Sequence, residues 1–449
     1  MELYRKANEK LVQWKDSPDR KPLLIRGARQ VGKTTLVRMF SKLFSAYVEL
    51  NLERESDRAL FNTDDVERVF NSACLLKGVI PVPGSTLLFI DEIQESPKAV
   101  QLLRYFREDM PDLYVIAAGS LLEFALKNVP SFPVGRVDYL YLHPLNFQEY
   151  VHSVNNSLLK ERFDEVPLED YAHEILLKNF HDYVLIGGMP AIVNNYLENK
   201  NPVFLGSIYK KLWQSYQDDV EKYARNDTEK KIIRHVMATA PYEKDRIKFE
   251  GFGNSNYRSR EVGEAMRALD LARLIRLIYP TTSLLPPIVT DFKKRPRLQF
   301  LDTGMLNQIL NLQVEIIKLK ELDNLYHGKI IQHIIGQEFI SIFDEENYKP
   351  HFWVRESKDS NAEVDYVFHY ENIIIPIEVK AGKQGTLKSL HQFINNSNHP
   401  YAVRMFSGRF SVEKHVTISG KPYLLMNLPY YFGTKIREYI RYFVENFKL

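Results

Sequence analysis

The sequence predicts a multidomain α/β protein: a parallel-sheet domain first, a largely helical middle region, and a second, separate α/β domain at the end. Three observations carry this. The run Lys21–Gly27 (KPLLIRG) is apolar and ends in glycine, and from Lys33 onward (KTTLVRMFSKLF) apolar residues recur at helical spacing, which reads as strand, glycine-containing loop, helix. Further strand-like runs at Ala46–Leu50, Thr86–Ile90 and Leu113–Ala118 alternate with helical segments such as Lys98–Arg107, the alternation that produces a parallel sheet. Downstream, His351–Arg355, Glu363–His369 and Ile373–Lys380 read as three successive strands, followed by a helix at Thr386–Asn395.

The length of 449 residues accommodates about three domains of ordinary size. Aromatics at 12% and hydrophobic residues at 45% supply enough apolar surface for folded cores and argue against disorder. With 60 basic against 57 acidic residues the net charge is +3, so no bulk polycationic field marks a nucleic-acid binder and any basic surface is local. The single cysteine, Cys74, excludes an intramolecular disulfide and a multi-cysteine zinc site; it reads as a small core residue and fits a reducing cytoplasm. The segment MELYRKANEKLVQW is charged and helix-patterned rather than a secretion signal, and runs such as Ile373–Ile377 fall far short of the ~20 residues that span a bilayer. A cytoplasmic protein without a membrane segment is therefore expected.

The first domain is expected over 1–150 and a helical lid or linker over 151–228, punctuated at Gly187-Gly188-Met189-Pro190. Over 229–305, helices at Glu229–Thr239 and Ser259–Leu271 precede strand-like pieces at Ile275–Tyr279 and Arg297–Leu301, which suggests a winged-helix-like unit. The terminal α/β domain is expected over 306–449, opening with a helix at Lys329–Phe343.

Gly27-Ala28-Arg29-Gln30-Val31-Gly32-Lys33-Thr34 fits the phosphate-binding loop, in the strand-to-helix context which that pattern requires. Its glycines let successive amides turn toward phosphate oxygens, and the next helix presents its positive end to the same charge. Lys33 would neutralise the β- and γ-phosphates of ATP, Thr34 would ligate Mg2+, and Thr35 completes the nucleotide-binding set. The strand Thr86–Ile90 ends in Asp91 and Glu92: Asp91 would hold the magnesium shell, and Glu92 would polarise the attacking water. Two acids after such a run are hard to read as a helix cap. A third strand ends at Gly119-Ser120, where a polar side chain can reach the water or the γ-phosphate; Ser120 is equally placed to cap a helix beginning Leu121-Leu122-Glu123. Within Phe132–Arg136, Arg136 is a candidate arginine finger, in cis or from a neighbouring copy in a homo-oligomer, although most exposed arginines are simply solvated.

The segments GARQVGKT, LLFIDEIQ, AAGSLLE and Pro144–Glu149 together resemble one family: AAA-like P-loop ATPases joined to a C-terminal domain of restriction-endonuclease type. In the second half the resemblance rests on Gly187–Pro190, Asp302-Thr303-Gly304, Glu363–Tyr366 and Ile377–Lys380. It implies ATP hydrolysis coupled to a further activity, with a winged-helix unit between two α/β domains. In that setting Asp365, Glu378 and Lys380 become a candidate nuclease site, since such nucleases need two carboxylates to hold Mg2+ and a lysine beside the scissile phosphate. Glu378 and Lys380 alternate on one strand and share a face. Glu338 could add a further acid, and Gln392 could orient the site. An ordinary surface ion pair on a half-solvated strand gives the same pattern; the apolar run Ile373–Ile377, which suggests a buried central strand, favours the metal site. Lys293-Lys294-Arg295-Pro296-Arg297 forms a basic turn where a wing would meet phosphates.

The reading is thus an ATPase whose nucleotide state controls a nucleic-acid-directed module, with DNA favoured over RNA. Its rival is a non-enzymatic switch, in which ATP binding rearranges domains and the terminal fold binds protein or DNA without cutting it.

Overall fold

The computed structural model describes residues 2–120, 135–221, 224, 226–243, 245–312, 327–343, 348–356, 361–380 and 387–449. Contacts divide the chain into two compact units. One comprises Arg5–Pro144 with Leu271–Leu274, the other Met1–Tyr4, Leu145–Asp270 and Ile275–Leu449.

In the first unit, β1 (Leu23–Arg26), β2 (Ala46–Asn51), β3 (Thr86–Asp91), β4 (Tyr114–Gly119) and β5 (Asp138–Tyr141) form a parallel sheet in the order β2-β3-β4-β1-β5. Parallel neighbours need crossovers, which the helices Lys33–Phe40, Val66–Lys77 and Pro97–Asp109 supply. The latter two are bounded by their own sequence. The Asp65 carboxylate accepts from Arg68 N at 3.0 Å and Ser96 Oγ from Ala99 N at 3.2 Å, capping the two starts, and Gly78 ends the former helix at φ +64°. Val66, Val69, Phe70 and Ala73 from one helix and Val100, Leu103 and Phe106 from the other pack on Val48, Leu88 and Ile90 of the sheet. Strand β5 was not among the expected strands: DYLY is short, lies at the sheet edge and buries only Leu140. Because β4 lies between β1 and β3, the chain leaves Arg26, Asp91 and Gly119 at one edge of the sheet, where α/β folds place ligands.

The second unit opens with the helices Phe147–Ser153, Ser157–Asp164, His173–Ile186, Pro190–Asn199 and Gly206–Glu221. The helices Asp227–Thr239 and Ser259–Leu271 lead into β6 (Ile275–Ile278); β7 (Pro280–Thr281) and β8 (Arg297–Phe300) follow. Strands β6 and β8 pair antiparallel, the expected helix–helix–hairpin order. The connection between them does more than turn, since β7 joins the edge of a larger sheet beside β9 (His351–Glu356). That sheet continues through β10 (Asn361–Tyr370) and β11 (Ile373–Val379), which pair antiparallel as a hairpin. It then runs on to β12 (Tyr401–Phe406), β13 (Ser411–Val416) and β14 (Pro422–Pro429) in the order β13-β14-β12-β11-β10-β9-β7. The helix His327–Ser341 precedes β9, β10 and β11, and Lys388–Asn396 crosses over between the parallel strands β11 and β12.

Two of the sequence motifs interlock here. The fully buried Asp302 carboxylate accepts from Gly188 N at 2.6 Å and Met305 N at 2.9 Å, so GGMP and DTG form one backbone junction. Burial pushes the Asp302 carboxyl up to about 6, against those donors. Glu338 also has a structural task. It is fully buried and accepts from Phe147 N at 3.0 Å and from the Tyr183 hydroxyl at 2.8 Å, which secures the start of the helix that Asn146 and Glu149 cap. Among the described residues the partners of this carboxylate are thus Phe147 and Tyr183, and none of its hydrogen bonds joins it to Asp365. No helix among the described residues is long and apolar enough to cross a membrane.

Candidate functional site

The loop after β1 is shaped by its glycines. A Cβ on Gly27 would lie 2.3 Å from the Leu142 carbonyl oxygen, and Gly32 has φ +96° where the helix Lys33–Phe40 begins. Lys33 is buried, and its ammonium donates to Gly27 O at 3.0 Å and Ala28 O at 2.9 Å, so the loop curls around it. Arg29 pairs with Glu53 at 3.9 Å, Gln30 takes φ +61°, Val31 is fully buried, and Thr35 is exposed in the first helical turn. First-turn amides have no intrahelical acceptor and so face any anion set in the loop. Sequence reasoning missed one support: the buried Arg5 guanidinium donates to Val31 O at 3.0 Å and His143 O at 2.6 Å, tying the loop to the segment after β5.

The Thr34 hydroxyl donates to Asp91 Oδ2 at 2.7 Å, so the two side chains assigned to magnesium already converge. Burial raises the Asp91 carboxyl above its ordinary range, and the Thr34 hydroxyl opposes this. A hydroxyl and a buried carboxylate in contact beside a phosphate-binding loop are a donor set that suits Mg2+. Glu92 follows at φ +51°, a left-handed conformation unusual for a non-glycine residue, with its amide bonded to Asp91 Oδ1 at 3.0 Å. Its carboxylate is held at Oε2, by Gln94 Nε2 at 2.6 Å and by the Ser120 hydroxyl at 3.3 Å. Ser120 is thereby a partner of Glu92; the helix expected at Leu121-Leu122-Glu123 lies outside the described residues, as does Phe132–Val134. Arg136 is not brought to this group. It precedes β5, whose Asp138 stands opposite Leu23 at the start of β1, and its guanidinium lies 3.1 Å from Glu108. Within one chain it therefore belongs to the opposite edge of the sheet from Lys33, Asp91 and Ser120.

In the second unit, Asp365, Glu378 and Lys380 do meet. Lys380 Nζ donates to Glu378 Oε1 at 2.6 Å, and Asp365 Oδ2 accepts from Val379 N at 2.9 Å. Burial and the nearby Asp365 raise the Glu378 carboxyl above its usual range, while Lys380 lowers it. Asp365 Oδ1 accepts from Gln332 Nε2 at 2.7 Å and has the Arg297 guanidinium 3.8 Å away. Gln392 instead accepts from Arg355 at 3.2 Å. Among the described residues no group of three or more His, Cys, Asp or Glu could hold a metal ion, so the carboxylates number two. The basic turn is partly neutralised: Lys294 pairs with Glu356 at 2.5 Å and Arg297 with Glu363, while Lys293 and Arg295 stay exposed.

Residues 19–151 match the family described as AAA domain, and every element of the loop, the β3 acids and Ser120 lies within that match. This segment is an AAA-like, ATPase-like P-loop domain. Residues 177–315 and 327–419 match two domains of unknown function, DUF8612 and DUF4143, the latter containing Asp365, Glu378 and Lys380. No curated protein is significantly similar to the chain. Among solved structures, a Walker-type ATPase of Pyrococcus abyssi is similar at 15% identity and a TM-score of 0.45, over 69% of this chain and 96% of that one. The Orc1 protein of Aeropyrum pernix, determined in complex with DNA, is similar at 12% identity and a TM-score of 0.29, over 69% of this chain and 93% of that one. A STAND protein of Pyrococcus horikoshii with a tetratricopeptide-repeat sensor is similar at 13% identity and a TM-score of 0.29, over 76% of this chain and 46% of that one.

Proposed function

We propose that the first unit hydrolyses ATP with magnesium, and that its nucleotide state controls a nucleic-acid-directed module in the second unit. The observation that carries the first part is the pairing of two differently held acids at the end of β3: Asp91 on the Thr34 hydroxyl and Glu92 on Ser120. Lys33 would exchange its carbonyl partners for the β- and γ-phosphate oxygens. Thr34 and Asp91 would hold Mg2+, which neutralises charge on the phosphates when bound. Glu92 would accept a proton from the attacking water, with Ser120 fixing the carboxylate.

For the second unit, the order helix, three antiparallel strands, helix, parallel strand, with Asp365 and Glu378 on adjacent strands, supports the nuclease-like reading. On that reading Asp365 and Glu378 share a divalent cation and Lys380 stabilises charge on a phosphate. One observation favours the rival, a binding switch that does not cut: Arg297 and Lys380 already place cationic groups on both carboxylates. Phosphate release from ATP with magnesium and with a chelator, with and without duplex DNA, tests the proposal. Magnesium-dependent release that responds to DNA is expected; no release under any condition contradicts hydrolysis. Nicking assays in the same mixtures decide between cutting and binding.

A further inference from the structure

We infer that Gln94 is a positioning residue for ATP hydrolysis, one that sets the orientation of Glu92. This rests on the assignment of Glu92 as the base. Sequence reasoning gave Gln94 no role beyond its place in the DEIQ run. In the structure its Nε2 donates to Glu92 Oε2 at 2.6 Å, a shorter contact than the 3.3 Å from Ser120. The amide orientation follows from chemistry: a carboxylate accepts and does not donate, so the nitrogen of Gln94 must face it. The other end, Oε1, is then buried and has no hydrogen-bond partner among the described residues.

The backbone explains why a residue two positions on is needed. Glu92 sits at φ +51°, directly before the short 3-10 turn Ile93–Glu95, and Ile93 is fully buried beneath that turn. The turn brings the Gln94 side chain back onto Glu92, so the strained residue and its clamp form one local unit. With Oε2 taken by Gln94 and Ser120, Oε1 is the Glu92 oxygen left to receive a proton. A neutral amide leaves the carboxylate its full negative charge, which a lysine at position 94 would not.

The test is a kinetic cycle on the full chain, reading kcat and KM for ATP hydrolysis together with nucleotide affinity. Gln94→Ala and the isosteric Gln94→Glu, which lacks the donor, should each lower kcat roughly 10- to 100-fold, the scale of a misplaced reacting group, and leave KM and ATP affinity within about twofold. In a Glu92→Gln background, Gln94→Ala should cost nothing further, because the residue acts through Glu92. A Gln94→Ala enzyme at the wild-type rate, or one whose loss adds in full to that of Glu92→Gln, overturns the inference while leaving the ATPase reading intact. If Glu92→Gln itself turns over normally, both fall together.

Discussion

Two pairs of carboxylates stand out in this protein, one at the end of β3 and one on the adjacent strands β10 and β11, and they differ in their partners. Asp91 and Glu92 are held by neutral donors, the hydroxyls of Thr34 and Ser120 and the amide of Gln94, while the nearby Lys33 spends its ammonium on backbone carbonyls. Asp365 accepts from the Gln332 amide at 2.7 Å and from Val379 N at 2.9 Å with Arg297 3.8 Å away, while Glu378 is ion-paired with Lys380 at 2.6 Å. Neutral donors orient a carboxylate and leave its charge for a metal ion or a proton. Ion pairs satisfy it in advance, so an incoming cation must compete. On the proposed reading, a cation entering the first pair meets neutral donors, whereas one entering the second competes with Lys380 and Arg297.

The sharpest break in this comparison comes from removing the second pair. Asp365→Ala or Glu378→Ala should abolish divalent binding attributable to the second unit, and Lys380→Ala should spare binding but lose any nucleic-acid cleavage. ATP turnover should survive all three within about twofold, since the phosphate loop is in the other unit. Calorimetry with Mn2+ on an Asp91→Ala background, which removes the carboxylate assigned to metal in the first unit, checks the binding, and phosphate release by the single variants checks turnover; unchanged Mn2+ binding after Asp365→Ala removes the site.

Next in size is the loss of Arg297. Glu363 and Asp365 hold its guanidinium above its ordinary value although burial alone would lower it. Arg297→Met should cost about 3 kcal/mol in denaturant unfolding, because it strands carboxylates that the arginine now pairs. The same change should tighten divalent binding at Asp365 and Glu378. Weaker binding in a folded variant would mean that Arg297 organises the site instead of competing for it.

A smaller effect is expected of pH. Burial pushes the Glu338 carboxyl up to about 8, above its value in an unfolded chain. The folded state then binds more protons between those two values, so this group's contribution is complete below about pH 4.5 and is lost as pH rises through about 8. Glu338→Gln should flatten the decline in stability between pH 5 and about 8, by roughly a few kcal/mol over the window. An unchanged slope would show that Glu338 stays ionised on its Phe147 and Tyr183 donors.

The smallest effect concerns the basic turn. Because Lys294 is paired with Glu356, Lys294→Glu alone should weaken DNA binding less than Lys293→Glu with Arg295→Glu. The double change should reduce the salt slope by about two. Equal slopes in all variants would make the turn a bystander.

How much of this was legible in the sequence varied with how local the signal is. The loop Gly27–Thr34, the acids after β3 and the alternation of Glu378 and Lys380 are local patterns, and each appears where the spacing puts it. Four of the five strands of the first sheet are apolar runs and were read to within a few residues; β5 carries two tyrosines and an aspartate on an edge and gave no such run. The rest depends on tertiary partners. Nothing near Arg5 in the sequence announces Val31 and His143 as its acceptors, and nothing near Glu338 announces Phe147. The basic turn looked like a phosphate contact because its counter-charges, Glu356 and Glu363, lie some sixty residues on.

The most direct measurement takes Lys33→Ala and Glu92→Gln side by side, with ATP affinity and phosphate release read on the same preparations. Lys33→Ala should lose tight ATP binding and turnover together. Glu92→Gln should bind ATP as the parent does and lose turnover by roughly 10²–10⁴-fold, since only the base is gone. Wild-type release by Glu92→Gln, or tight binding and turnover retained by Lys33→Ala, would contradict the assignment of this site as an ATPase centre.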